Sequence, residues 1–200
     1  MMEKSPCIEN KRSLLLSLPN ALTYLRIIAV PAVVACLVLL PGASGRWSAL
    51  GIYILAGITD WFDGYFARAW EQQSTLGRML DPIADKLLVG ATLLALTSEG
   101  TISHLALWAA TIILCREILV SGLREFLAEL NIKIQVTRLA KWKTTVQMVA
   151  LAFLIAGPAG DSLIPHTTSL GLVLLWIAAV LTLWTGFGYL KASINHAIDN

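Results

Sequence analysis

Long apolar runs separated by short polar connections dominate this chain. Each run is close to the length of about 20 residues that a helix needs to cross the hydrocarbon layer of a membrane. The runs lie at residues 21–40, 47–69, 80–98, 102–122, 144–160 and 168–190. Since they take up most of the chain, the pattern predicts an all-α integral membrane protein with six transmembrane helices.

The segments outside these runs are short. We expect a cytoplasmic N-terminal segment at 1–19, a six-helix transmembrane domain at 20–192 and a cytoplasmic C-terminal tail at 193–200. Residues 7–17 could form a juxtamembrane amphipathic helix that lies on the membrane surface. A solvated tail is the alternative interpretation of the same residues.

Composition and charge agree with a membrane protein. The chain is 56% hydrophobic and 14% charged, whereas soluble chains carry roughly a quarter charged residues. Lys and Arg concentrate before the first run, between the second and third and between the fourth and fifth. The positive-inside rule then places both termini in the cytoplasm. Because the basic residues follow the span ends, the pattern argues against nucleic-acid binding.

Four aspartates interrupt the second and third apolar runs. Asp60 and Asp63 are three residues apart, and Asp81 and Asp85 are four apart, so each pair shares one face of a helix. A short connection would make the two helices antiparallel neighbours. Carboxylates that converge at membrane depth repel each other unless cations lie between them. Oxygen ligands favour hard cations such as Mg²⁺, Mn²⁺ or Ca²⁺.

Small residues accompany these acids. Gly64 and Ala67 continue the face of the first pair, and Gly77 precedes the second, so a ring or a phosphate could approach the backbone. Arg68 would supply positive charge for a diphosphate. Taken singly, each feature has a structural explanation, since Asp81-Pro82 is typical of a helix start and small residues also pack helices in lipid. Their common phase favours a binding site.

The acids and small residues form one longer pattern. From Asp60 to Asp85 the chain reads D-x2-D-G-x2-A-R-x8-G-x3-D-x3-D, which resembles the signature of the CDP-alcohol phosphatidyltransferase family. LPNALTYLR at 18–26 is similar to the family's opening motif. REILVSGLREFL at 116–127 and KWKTTVQ at 141–147 are similar to a bacterial branch that uses sn-glycerol 3-phosphate. Ala140 stands where that branch often has Gly, a mild departure.

The resemblance implies a fold, a location and a reaction. The fold would be six transmembrane helices, as a homodimer in the bacterial inner membrane, with the site open to the cytosol. The phosphatidyl group of CDP-diacylglycerol would pass to a hydroxyl of sn-glycerol 3-phosphate, with release of CMP. Two divalent cations, Mg²⁺ or Mn²⁺, would assist the displacement.

The resemblance also implies residue roles. The metal ligands would be Asp60, Asp63, Asp81 and Asp85, with Asp85 also the catalytic general base. The CDP-lipid site would comprise Asn20, Thr23, Asp60, Gly64, Ala67, Arg68 and Gly77.

The acceptor phosphate would meet basic residues of the first, fourth and fifth helices. These are Arg26, Arg116, Arg124, Lys141 and Lys143. Topology alone also places basic residues at cytoplasmic span ends, and Glu117, Glu125 and Glu129 could pair with some of them.

The same residues are compatible with two alternative functions. The same chemistry could serve another acceptor, inositol phosphate or phosphatidylglycerol. Intramembrane carboxylates also build the pathways of divalent-cation transporters. Against a transporter, the acids cluster at one end of two helices.

Overall fold

The computed structural model describes residues 18–40, 42–69, 75–129 and 138–198. Within these ranges, side chains are not described at 18–19, 61–69, 75–76, 78, 128–129, 138, 140–141, 189 and 191–198. The described residues form six α-helices. These are α1 Leu18–Leu39, α2 Gly42–Ala69, α3 Thr75–Ser98, α4 Leu105–Glu129, α5 Arg138–Gly160 and α6 Thr167–Ile198. The expected surface helix at 7–17 lies outside the described residues.

Each apolar run of the sequence overlaps one helix, so the all-α fold and the order of these six helices are confirmed for the described residues. Among the described residues, three segments are long and apolar enough to cross a membrane: Asn20–Leu39, Leu105–Leu127 and Thr167–Gly188. Large apolar side chains also point outward, among them Trp108, Trp184 and Phe187, which are 66–76% exposed. Such an apolar exterior is typical of a surface in contact with lipid, and the chain is a membrane protein.

The third helix starts earlier than the sequence indicates. It begins at Thr75, so Asp81 and Pro82 lie inside α3 and Asp81 is not a cap at its N-terminus. The carboxylates of Asp81 and Asp85 are therefore presented from a formed helix, one turn apart.

Helix α1 occupies the position that brings the acidic helices together. It packs against both α2 and α3, whereas direct contacts between α2 and α3 are few among the described residues. The expected convergence of the acids is observed for Asp60 and Asp85, and polar side chains of α1 join the two helices there. On the other side of the bundle, α6 packs against α4 and α5, and α2 contacts α5.

Small residues allow this close packing. Four alanines of the central apolar cluster are fully buried: Ala49, Ala109, Ala150 and Ala178. At Gly171 of α6, an added Cβ would lie 2.9 Å from Cγ of Leu154 in α5. Small side chains of this kind let helix backbones approach each other in membrane bundles.

A kink near the end of α5 is held by an arginine of α2. Gly157 has φ 47° and ψ −136°, and Pro158 follows it without an N–H to donate to the carbonyl of Leu154. The guanidinium of Arg46 donates instead to the carbonyls of Leu154 and Ile155, at 3.2 Å each.

The same guanidinium binds the connection between α3 and α4. Arg46 donates to Glu99 and, at 2.8 Å, to Oγ1 of Thr101. We call Arg46, Glu99, Thr101 and the kink carbonyls the Arg46 cluster. It lies roughly 20 Å along α2 from Asp60, at a helical rise of 1.5 Å per residue. This network ties α2 and α5 to the α3–α4 connection, at the end of the bundle remote from the acids.

Candidate active site

Polar side chains on one face of α1 hold the aspartates of α2 and α3. NH1 of Arg26 lies 2.8 Å from Oδ1 of Asp60 and 3.0 Å from Oδ1 of Asp85. One turn earlier, Oγ1 of Thr23 donates to Oδ1 of Asp81 at 2.5 Å. Both α1 side chains are almost fully buried, at 1% for Arg26 and 2% for Thr23. Three of the four predicted aspartates are thus gathered around α1.

The acids themselves face an open space. The side chains of Asp60 and Asp85 are 49% and 51% exposed. The sequence predicts that cations separate these carboxylates. Part of that positive charge comes from Arg26, which the sequence assigns to the acceptor phosphate. Thr23, expected near the phosphates of the CDP-lipid, is hydrogen-bonded to Asp81. Two further predicted site residues are buried: Asn20, three residues before Thr23 on α1, and Gly77, four residues before Asp81 on α3.

The described acids form only part of the predicted metal site. Within the described side chains, no group of three or more His, Cys, Asp or Glu residues has the geometry of a metal centre. The side chain of Asp63 lies outside the described set, although α2 remains helical through it. The donor chemistry fits a hard cation, because Asp60 and Asp85 contact the same nitrogen of Arg26 and offer only oxygen ligands.

Other predicted site residues also fall outside the described side chains. They are Gly64, Ala67, Arg68 and Lys141. The first three belong to the helical part of α2, so their spacing from Asp60 is that of a regular helix. Their roles in binding a CDP-lipid stay predictions.

A cavity of about 290 Å³ joins the acids to the basic residues of α4 and α5. Its size is at the lower end of the range for small-molecule sites. Half of its described lining residues are charged: Arg26, Asp60, Asp85, Lys86, Arg116, Glu117, Arg124 and Lys143. The structure therefore brings four of the five residues predicted for the acceptor phosphate to the same cavity as two of the predicted metal ligands.

Arg116 is fixed by the last helix. Its Nε donates to the carbonyl of Thr182 at 3.2 Å, and its NH2 donates to Oγ1 of Thr185 at 3.0 Å. Gly186 lets α6 approach, since a Cβ there would be 3.3 Å from Cγ of Arg116. Arg124 is exposed at the cavity, two turns further along α4.

Two lysines of the cavity are anchored on one turn of α4. Lys143 of α5 is 3% exposed and donates to Oε1 of Glu117. Lys86 of α3 donates to Oγ of Ser121, four residues after Glu117. Lys86, Ser121 and Thr185 are not among the predicted site residues. The spacing of Glu117 and Ser121 on one helix face was the signal available for finding the two anchors.

Comparisons with known proteins identify the family of this chain. Residues 16–184 match the family model described as CDP-alcohol phosphatidyltransferase. The chain is 39% identical to a protein of Cereibacter sphaeroides named CDP-diacylglycerol–glycerol-3-phosphate 3-phosphatidyltransferase, over 92% of this chain and 98% of the relative. Proteins with the same name from Rickettsia felis and Salmonella choleraesuis are 43% and 40% identical, over 88% and 92% of this chain and 94% and 98% of theirs. The signature acids, their meeting around α1 and these matches lead to one conclusion: the chain belongs to the CDP-alcohol phosphatidyltransferase family.

Proposed function

We propose that this protein transfers the phosphatidyl group of CDP-diacylglycerol to a hydroxyl of sn-glycerol 3-phosphate. The products are phosphatidylglycerophosphate and CMP. The family match and the names of the relatives support this reaction.

One observation carries the proposal: an acidic cluster and a basic pocket share a single cavity. Asp60 and Asp85 line one part of it, and Arg116, Arg124 and Lys143 line another. A reaction between a diphosphate and a phosphorylated alcohol requires both halves. The acids recruit cations for the diphosphate, while arginine and lysine donors bind the phosphate of the acceptor.

Two divalent cations, Mg²⁺ or Mn²⁺, would be held by Asp60, Asp63, Asp81 and Asp85. When bound, such ions neutralise charge on the diphosphate oxygens and stabilise the leaving group. The chain's own residues keep the carboxylates in place, since Thr23 holds Asp81 and Arg26 holds Asp60 and Asp85. A carboxylate fixed by a buried donor loses less freedom on binding a ligand.

Asp85 is our candidate for the general base. The acceptor hydroxyl oxygen forms a bond to the β-phosphorus, the bond from that phosphorus to the CMP oxygen breaks, and the hydroxyl proton passes to Asp85. Arg26 contacts Oδ1 of Asp85, so the other oxygen, Oδ2, is the one we assign to the proton. A positioned base of this kind contributes about 10²–10⁴-fold to a rate.

In the membrane, we propose that all six helices span the bilayer of a bacterial inner membrane, with the core domain at 20–192. Both termini and the cavity would face the cytoplasm, as the distribution of Lys and Arg indicates. A homodimer is part of the proposal through the family resemblance alone. Surrounding membrane lipid would deliver the CDP-diacylglycerol laterally.

An acceptor panel tests the proposed reaction. Purified protein in detergent with CDP-diacylglycerol and Mg²⁺ is given sn-glycerol 3-phosphate, inositol phosphate or phosphatidylglycerol, and CMP release is measured. We expect CMP release with sn-glycerol 3-phosphate and about 100-fold less with the other two. Phosphatidylglycerol lacks the terminal phosphate assigned to the basic pocket, and inositol phosphate presents its hydroxyls on a larger ring. Release with another alcohol only would keep the reaction class and overturn the acceptor. Metal flux into proteoliposomes without any CMP release would instead favour the transporter.

A further inference from the structure

A carboxylate in the middle of the proposed anion pocket is the least expected feature of the cavity. Glu117 of α4 lines the same space as Arg116, Arg124 and Lys143. Its charge repels a bound phosphate, so it should weaken acceptor binding unless it does something else there. The side chain is 19% exposed, which makes its presence costly without partners.

Each oxygen of Glu117 faces a different cation. Oε1 accepts a hydrogen bond from Nζ of Lys143, and Oε2 lies 3.6 Å from NH1 of Arg116. Lys143 comes from α5, whereas Arg116 precedes Glu117 on α4 and reaches towards Thr182 and Thr185 of α6. Glu117 therefore links the basic groups of α4 and α5, and Arg116 in turn joins them to α6.

Lys143 depends on this contact more than an exposed lysine would. Its side chain is 4% exposed, and a buried ammonium needs a charged or hydrogen-bonding partner to stay ionised in place. An ammonium has three donors, and Glu117 takes one of them, which fixes the direction of the other two. Lysine is a flexible point charge, so a tethered lysine binds phosphate with less loss of side-chain entropy than a free one.

We propose that Glu117 is a positioning residue for the acceptor: it holds Lys143, and with it Arg116, in the arrangement that binds the phosphate of sn-glycerol 3-phosphate. The inference rests on the proposed function. Around Glu117 positive charge still predominates among the described lining residues, because Arg116, Arg124, Lys143 and Lys86 outnumber it. The neighbouring lysine, Lys86, has a neutral anchor in Ser121, so Glu117 is the charged anchor on this turn.

The sign of one kinetic change separates positioning from simple charge balance. If Glu117 only neutralised charge, Glu117→Gln would make the pocket more positive and lower the KM for sn-glycerol 3-phosphate. If it positions Lys143, the weaker neutral acceptor should raise that KM about tenfold, the usual scale for weakening a hydrogen bond to a charged group. The KM for CDP-diacylglycerol should stay within about twofold of the wild-type value, because that substrate is assigned to the α2–α3 acids rather than to this pocket.

The experiment compares Glu117→Gln, Glu117→Asp and Glu117→Ala with Glu125→Gln as the matched control. Glu125 lies on the same helix and is exposed, and we expect its variant to have wild-type kinetics. Asp keeps the charge, so it should recover part of the lost affinity, whereas Ala should be the weakest. Inhibition by inorganic phosphate should weaken in the same order as acceptor binding, which reports on the phosphate subsite directly.

The outcomes are distinguishable. A wild-type enzyme that does not use sn-glycerol 3-phosphate overturns the proposed function. A wild-type enzyme that uses it, with an unchanged or lower acceptor KM in Glu117→Gln, overturns the positioning role alone. Folding of each variant is followed by size-exclusion profile and melting temperature, and if Glu117→Ala fails to fold, the Gln and Asp variants decide the question.

Discussion

Two arginines with limited exposure lie near opposite ends of α2, and their guanidinium groups have different roles. Arg46, 16% exposed, donates to Glu99, Thr101 and two backbone carbonyls, so its contacts lie inside the protein. Arg26, 1% exposed, contacts Asp60 and Asp85. Glu99 is 19% exposed, whereas the two aspartates are about half exposed towards the cavity, at 49% and 51%.

The difference lies in charge balance and access. In the Arg46 cluster one guanidinium meets one carboxylate, and hydroxyl and carbonyl groups complete its hydrogen bonds. Around Arg26 two carboxylates share one nitrogen, and Asp81 lies nearby on Thr23. A balanced, enclosed network stabilises the fold. An excess of negative charge that opens to a cavity attracts cations, which is what the proposed chemistry requires.

The largest expected effect comes from removing one charge at each end. Asp85→Asn should lower kcat about 10³-fold, within the range for loss of a general base. CDP-diacylglycerol binding should be largely kept. Glu99→Gln makes the same chemical change in the Arg46 cluster, and we expect kcat within about twofold of wild type with a melting temperature lower by about 5 °C.

CMP release and thermal unfolding in detergent measure these two effects. Unchanged turnover in Asp85→Asn would remove that residue from its assigned role. A loss of turnover in Glu99→Gln as large as that in Asp85→Asn would show that the two ends are not separable.

The second comparison replaces each arginine by Gln. Without Arg26, Asp60 and Asp85 face each other with less positive charge, and like charges in one site repel. We expect Arg26→Gln to melt about 10 °C lower than wild type in EDTA, the scale for leaving a buried ion pair unbalanced. Mg²⁺ should restore most of that loss. Melting curves in detergent with EDTA and with a Mg²⁺ series measure it.

Arg46→Gln is the control for this experiment. It should also melt below wild type, but Mg²⁺ should restore none of the loss, since Glu99 is the one acid of its cluster. If Mg²⁺ failed to rescue Arg26→Gln, the guanidinium and the cations would not share the same acids. A raised KM for sn-glycerol 3-phosphate in Arg26→Gln would support the acceptor role that the sequence predicts.

Much of the fold and the identity of the acidic cluster follow from the sequence, because both are local patterns. Apolar run length predicts each helix, and the i, i+3 and i, i+4 spacings of Asp60–Asp63 and Asp81–Asp85 predict which acids share a face. The same reasoning places Arg116 and Arg124 two turns apart on α4, and both line the cavity.

The partners of these residues are not predictable in the same way. Arg26 is 59 positions from Asp85, and Glu117 is 26 positions from Lys143. Such pairs depend on which helices pack together, and the packing of α1 against both α2 and α3 leaves no periodic mark in the chain. The kink in α5 is indicated by the sequence, because the Gly157-Pro158 pair breaks the helical hydrogen-bond pattern. Nothing local indicates that Arg46 donates to the carbonyls at this kink.

A substitution at Gly157 has the smallest expected effect and tests whether the Arg46 cluster is independent of the cavity. Its φ of 47° and ψ of −136° suit only glycine, and a Cβ there would lie 2.0 Å from NH1 of Arg46. Gly157→Ala should therefore cost about 1–3 kcal/mol of stability, seen as a lower melting temperature. Gly51→Ala on α2 is the control, because its Cβ would meet nothing within 4 Å and alanine favours a helix.

Turnover decides what the lost stability means. The kink lies at the end remote from the cavity, so Gly157→Ala should keep a wild-type kcat below its melting temperature. A Gly157→Ala enzyme with normal melting and reduced kcat would contradict the separation, because strain at the Arg46 cluster would then reach the aspartates without loosening the bundle. Normal kcat with a lower melting temperature means that the two arginines act independently, one on the fold and the other on the site.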